Sequence, residues 1–301
     1  MLLISHVELG KEGGDQNKIK RACESPENKF FEGKYDQLQI NAGLIPRSYR
    51  NGMNTESTFR SRSLLFFAMG IYVAHHIRED MPVIVPENGT ISINIPLNKS
   101  RRSSCSTRTT HPVFIKRLQE ALKEIGIQNE FCNPYKLKTK ADMMEDCIAN
   151  PEKQRILTAL FKLSCSCAKR SHNRWWDKSG REISSKHINH CGMCLPCIYR
   201  RVSLDKVGLD DPDLLGTDIF NGNSYQLNNM KQVRSRDFRT LLYFLKTRLN
   251  ARIIRQELLI SGIDDNDDLE SYIQLTMRSY QQVLDWVRKN GRREIRNKAG
   301  I

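Results

Sequence analysis

The sequence predicts an α/β fold that carries a helical appendage. Three observations lead there. Short aliphatic runs, at residues 2–7 and 82–86, alternate with helical stretches up to about residue 165. From about Asn228 onward the apolar residues recur only at helical spacing. Between these regions the cysteines gather: Cys165, Cys167, Cys191, Cys194 and Cys197.

Leu2–Val7 is a strand by its run of aliphatic side chains. It leads through Gly10, Gly13 and Gly14 into a helical stretch, an order shared by nucleotide loops and by ordinary strand-to-helix turns. Residues 24–54 are polar and rich in turn formers, with one short element near Leu38–Leu44. An amphipathic helix is expected from about Ser57 to His76. Arg60 and Arg62 lie in its first turns, where the helix dipole disfavours cations unless an anion docks there. Residues 82–86 form a short buried strand, closed by the turn Glu87-Asn88-Gly89, and residues 92–97 continue extended.

A basic, hydroxyl-rich loop follows from Lys99 to Pro112. Arg108, Thr110 and His111 lie in it, and Pro112 suits the first turn of a helix running to about Gly126. Residues 130–132 read as a strand. Thr139 caps a helix from Lys140 to Cys147, and further turns run through Arg155–Phe161. Residues 197–208 are helical. The tail is helical around residues 238–245, 258–260 and 272–287, and its basic end, Arg292 to Lys298, is expected to fray.

At 301 residues with 39% hydrophobic and 27% charged content, the chain is long enough to bury a core. Its formal charge of +14 favours an anionic partner: a nucleotide, nucleic acid or an anionic membrane surface. The basic residues are scattered and show no alternation with aromatics, so nucleic acid is an unlikely partner. No apolar run nears the ~18 residues of a membrane span. Nine clustered cysteines and no signal peptide point to a reducing, cytoplasmic setting and to metal ligation.

The spacing Cys191-x-x-Cys194-x-x-Cys197 lets three thiolates face one ion, and Gly192 permits the tight turn that aims amides at sulfur. The fourth ligand of a tetrahedral zinc is expected to be Cys165, with Cys167 as the alternate and His190 or His187 after it. Four thiolates close a zinc site, so its role would be structural. Cys23, Cys105, Cys132 and Cys147 read as small buried hydrophobes, Cys105 having positive neighbours. His75 and His76 read as core or boundary residues, and Trp175-Trp176 as a packing lid over the zinc loop.

Leu163-Ser164-Cys165, taken with residues 191–201, resembles the QueC family. These are 7-cyano-7-deazaguanine synthases, zinc-bearing members of the PP-loop ATP pyrophosphatases. Residues 61–66, 86–89, 106–112, 138–140 and 208–212 are similar to the QueC-like proteins of the Qat anti-phage system. The resemblance implies a doubly wound, HUP/PP-loop ATPase-like parallel sheet, with residues 1–208 as the α/β domain bearing the zinc-stapled loop. Residues 209–301 would be a helical extension. It further implies ATP with Mg2+, a structural Zn2+, a deazaguanine-like substrate and defence-system protein partners. The implied reaction adenylates a carboxylate, after which an amine attacks the acyl adenylate. Arg60, Arg62, Arg108, Thr110, His111 and Lys140 would bind nucleotide and substrate.

One departure stands out. The family opens with a strand ending in Ser-Gly-Gly-x-Asp-Ser, and no such motif occurs in these 301 residues. Leu2–Val7 resembles the family's second strand, so the sheet is expected to lack its first strand and to leave an edge. Three expectations follow: an intact ligase whose start lies upstream, an inactive zinc scaffold, or, least favoured, a nucleic-acid-binding zinc protein.

Overall fold

The computed structural model describes residues 1–7, 15–25, 33–41, 62–98, 109–168, 190–221, 227–229, 231–264 and 268–301. The chain divides into two units. The first comprises Met1–Val85, Ile115–Cys132 and Arg155–Ser164, and the second Pro86–Phe114, Asn133–Gln154 and Cys165–Ile301. The fold is mixed α/β, mostly helical, with small parallel sheets.

All four described strands lie in the first unit. β1 (Leu2–Val7) pairs in parallel with β2 (Asp36–Asn41), in the register Leu2 opposite Asp36 through Val7 opposite Asn41. Helix α1 (Asp15–Cys23) lies between them in sequence, as a parallel connection requires. β3 (Val83–Ile84) pairs in parallel with β4 (Phe131–Cys132). Parallel pairing is what a doubly wound sheet would give, but among the described residues the strands form two separate pairs, not one sheet.

Helix α2 is described over Arg62–Ile77, and residues 57–61 of the expected helix lie outside the described residues. It buries Phe67, Ile71 and Ala74, spaced four and three apart along one face. Phe67 meets the edge of Phe131 on β4, ring centres 5.0 Å apart. The connection after α2 is tied by Asn129, whose Nδ2 donates to the carbonyls of Arg78 (3.0 Å) and Met81 (2.9 Å). Asn129 Oδ1 meets His75 Nδ1 at 2.9 Å, so His75 is a bonded boundary residue. In helix α4 (Pro112–Glu124), Gln119 donates to the Asn129 carbonyl and accepts from the Phe131 amide. Two expectations of burial fail here. Ile84 is 55% exposed and Cys132 is exposed, because among the described strands β3 and β4 pair only with each other.

The second unit is helical and holds one core. Helix α3 spans Gly89–Ile93, so the segment expected to be extended starts as a helical turn. Asn88 decides this by capping it: its side-chain oxygen accepts the Ile91 amide at 3.1 Å. α5 (Lys140–Ile148) starts on the expected Thr139 cap, completed into a reciprocal capping box by Asp142. α6 (Pro151–Leu160) leads to the cysteine segment and α7 (Leu195–Lys206) leaves it. α8 (Arg236–Thr247), α9 (Ala251–Ile260) and α10 (Leu269–Asn290) follow. The basic end does not fray. It folds as α11 (Arg293–Ala299), because Ile295 and Ala299, one turn apart, are buried.

The buried set runs without a break from Ile93 through Cys191, Met193 and Ile198 to Phe238, Tyr280 and Trp286. The cysteine turn and the C-terminal helices therefore share one core, and the boundary expected near residue 208 is not a boundary of packing. Arg201 is a buried cation beside this core. It pairs with Asp210 and Asp218, each at 3.0 Å, and its guanidinium lies over the rings of Phe220 and Trp286.

This network sets a pH dependence. Burial alone would raise the Asp218 carboxyl, but Arg201, the Phe220 amide and Asn221 outweigh it and hold it below the usual carboxylate range. Its stabilising contribution is present above the unfolded value of about 3.9 and is lost as pH falls through the lower folded value. Acid titration of the wild type should therefore show stability falling below about pH 4, and Asp218→Asn should flatten that limb. Urea midpoints measured from pH 6 to pH 3 check this.

Candidate metal centre and its surroundings

Four sulfurs converge in the second unit. The Sγ atoms of Cys167, Cys191, Cys194 and Cys197 all lie within 4.8 Å of one another. Cys191 and Cys197 are 3.8 Å apart and Cys194 and Cys197 are 3.3 Å apart, far beyond a disulfide bond. Four sulfurs at about 2.3 Å from a tetrahedral zinc would stand about 3.8 Å apart. The donor set thus fits a tetrahedral, thiolate-bound metal ion such as zinc.

The local sequence builds this. Gly192 has φ +77°, which turns the chain between Cys191 and the start of α7. Two backbone amides then point at sulfur: Cys191 N donates to Cys167 Sγ at 3.3 Å, and Met193 N donates to Cys191 Sγ at 3.4 Å. Cys194 sits at the N-cap position of α7 and Cys197 in its first turn, where the helix dipole favours negative charge. Cys191, Cys194 and Cys197 are each 1% exposed or less. Three neighbouring thiols hydrogen-bond to Cys167 and hold its thiol far below the ordinary range. The same closeness pushes Cys194 and Cys197 far above it. Cys191 is lowered as well, so the cluster accommodates some but not all of its thiols as thiolates, and four at once require a cation.

The fourth position goes to the alternate, Cys167, instead of Cys165. His190 explains the choice. Its Nε2 accepts the Ser166 amide at 3.1 Å, which lays Cys167 beside the Cys191 turn. Cys165 takes the Cys167 amide on its own sulfur and stays half-buried, its thiol raised chiefly by burial. His190 holds the turn from outside the sulfur cluster. Its carbonyl accepts from Gly216 at 2.8 Å, and the Cys191 carbonyl accepts from Thr217 at 3.1 Å. His187 lies outside the described residues.

That clamp leaves no room at Gly192. A Cβ there would stand 2.0 Å from the Thr217 carbonyl oxygen. Gly192→Ala adds left-handed strain to this overlap and should cost about 2–5 kcal/mol. Denaturant midpoints and metal content after dialysis should both fall; an unchanged midpoint would contradict the clamp.

Of the six residues implied as nucleotide or substrate ligands, Lys140 alone among the described residues is placed beside the metal centre. Its ammonium donates to Ser166 Oγ at 3.2 Å, between Cys165 and Cys167 in sequence. Burial lowers its pKa first, Arg200 adds to that, and Glu87 and Cys197 oppose it. Arg200, 9% exposed, is likewise lowered by burial and opposed by Cys165 and Cys197. Thr110 instead pairs with Ser92 at 3.0 Å. His111, 2% exposed, meets Ser261 at 3.2 Å and so pins a loop to the helices. Arg62 opens α2 in the first unit. Arg60, Arg108, Cys105, Gly13-Gly14 and Trp175-Trp176 lie outside the described residues.

Sequence reasoning missed Glu87 and Arg200. Glu87 is raised by burial against the pull of Lys140 and the Asn88 amide. Its place before Asn88-Gly89 looked like simple turn chemistry. Arg200 carried a signal, since it follows Cys197 by three positions and so shares its helix face.

No family model, curated protein or solved structure matches the chain. Among the described residues no helix is long and apolar enough to cross a membrane.

Proposed function

We propose that this chain is a QueC-like protein that binds a carboxylated deazaguanine beside a structural zinc and activates it with ATP and Mg2+. The observation carrying this reading is the buried four-cysteine cluster with Lys140 and Arg200 next to it. Four thiolates around Zn2+ leave a net charge of −2, which these cations offset. Zinc would fix the start of α7, which carries Arg200, and the segment of Ser166, to which Lys140 donates.

In the reaction the substrate carboxylate oxygen attacks the α-phosphorus of ATP and pyrophosphate leaves. Ammonia or another amine then attacks the acyl carbon, and AMP departs as a proton is lost. Arg60, Arg62 and Arg108 are the cations assigned to the phosphates. The similarity to QueC-like proteins of the Qat system adds defence proteins as partners and a cytoplasmic setting.

The test is pyrophosphate release by the purified protein with ATP, Mg2+, ammonium and 7-carboxy-7-deazaguanine. Release that depends on the carboxylate supports the ligase. A second reading, an inactive zinc scaffold, is favoured by the lack of Ser-Gly-Gly-x-Asp-Ser in this sequence. It predicts tight zinc binding with no heat of nucleotide binding by calorimetry.

A further inference from the structure

Five cysteines of the second unit lie in this region, and four of them make up the sulfur cluster. Cys191, Cys194 and Cys197 are 1% exposed or less, whereas Cys167 and its neighbour Cys165 are half-buried. A small oxidant in solvent can therefore reach Cys167 but not the other three ligands, which the core around Met193 and Ile198 covers.

Cys165 and Cys167 flank Ser166, which is fastened twice. Its amide donates to His190 Nε2 at 3.1 Å, and its hydroxyl oxygen accepts from Lys140 Nζ at 3.2 Å. With that pivot held, the Cys167 amide bonds the Cys165 sulfur, so the Cys165 side chain folds back towards Cys167. Residues two apart along a chain have Cα atoms at most about 7 Å apart, and a disulfide spans about 4.4–6.8 Å. The two thiols are thus within bridging reach.

We propose that Cys165 is a resolving thiol for Cys167, and that the pair forms a peroxide-operated release for the metal. The Cys167 sulfur attacks one oxygen of hydrogen peroxide, the O–O bond breaks, and hydroxide departs to leave a sulfenic acid. The Cys165 sulfur then attacks the Cys167 sulfur, the S–O bond breaks, and the departing hydroxide takes the Cys165 thiol proton as water. The two sulfurs together give up one electron pair, which reduces the peroxide. Cys167 in a disulfide is no longer a thiolate ligand, so the site keeps three thiolates and gives up its metal. A dithiol reductant restores both thiols and reverses the event. Cys194 and Cys197, though 3.3 Å apart, are not the reacting pair, because both are covered. The inference rests on metal at the four-sulfur site and not on the reaction proposed above; it holds for a ligase and for an inactive scaffold alike.

The experiment uses the full zinc-loaded chain carrying Cys132→Ser, so that this exposed thiol cannot link two copies. Hydrogen peroxide is added, zinc release is followed with a chromophoric chelator, and disulfides are mapped by mass spectrometry after alkylation. Release of about one zinc per chain is expected, with a Cys165–Cys167 disulfide, and zinc should be regained after dithiothreitol. With Cys165→Ser added, the protein should load with zinc as before. Peroxide should then carry its Cys167 on to the sulfinic acid, and recovery after dithiothreitol should fall at least threefold. Cys165→Ala repeats the comparison if the serine variant folds poorly, as judged by melting temperature and zinc content. Metal retained under peroxide, a disulfide among Cys191, Cys194 and Cys197, or equal recovery by the Cys165 variants overturns the proposal. So does failure of both Cys165 variants to hold zinc, since Cys165 would then be a ligand. A chain that holds no metal before peroxide sinks the metal centre itself, and the release with it.

Discussion

Stripping the metal from this protein should unfold the unit that contains residues 165–301, not merely loosen a loop. Met193 and Ile198, which flank the sulfurs, are fully buried in the same core as Phe238, Leu241 and Val287. Without a cation, the cluster must either protonate Cys194 and Cys197 at close quarters or leave thiolates to repel one another. Structural zinc contributes about 10–16 kcal/mol in small domains, comparable to or above the usual stability of a whole fold of about 5–15 kcal/mol. Chelation, or Cys197→Ser, is therefore expected to abolish the cooperative melting transition of this unit. Elemental analysis and circular dichroism before and after chelation measure it. Cys167→Ser should behave like Cys197→Ser, whereas Cys165→Ser should keep a full equivalent of metal. The opposite pattern would return the fourth position to Cys165.

Arg201→Met should be the most damaging substitution away from the sulfurs. The side chains of Arg201, Asp210 and Asp218 are 3%, 10% and 9% exposed. Removing the cation leaves two carboxylates in a poorly solvated place, with a cost of about 3–5 kcal/mol. Burial already raises Asp210 despite Arg201, so the loss should be greatest near neutral pH and smaller where Asp210 can protonate. Chemical denaturation of the variant at pH 5 and pH 7.5 checks both the size and the direction. Asp210→Asn combined with Arg201→Met should recover part of the loss, because one of the stranded charges is gone.

Much of the helical architecture was legible because its signals are local. The Thr139 cap, the periodic Tyr272–Val287 stripe and the C-x-x-C-x-x-C turn each specify themselves within a few residues. What was not legible depends on partners distant in sequence. Cys165 and Cys167 are equivalent by spacing, and His190, 24 positions beyond Ser166, chooses between them. Ser92–Ile93 became helical because the Asn88 cap acts on amides ahead of it, while the stretch read as extended. His111 looked like a ligand in a basic loop, and Ser261, 150 positions away, makes it a fastening. Glu87 and Arg200 gain their importance only from being buried near Lys140, which composition cannot reveal.

The core shared by the cysteine turn and the C-terminal helices has a cellular consequence. If occupancy of the sulfur cluster and folding of that unit are one equilibrium, the folded amount varies with available metal by mass action. Zinc scarcity would then lower the standing level of the protein through proteolysis of unfolded chains, not through slower turnover of intact ones. Its abundance would be a gauge of the metal status of the cell in which it is made.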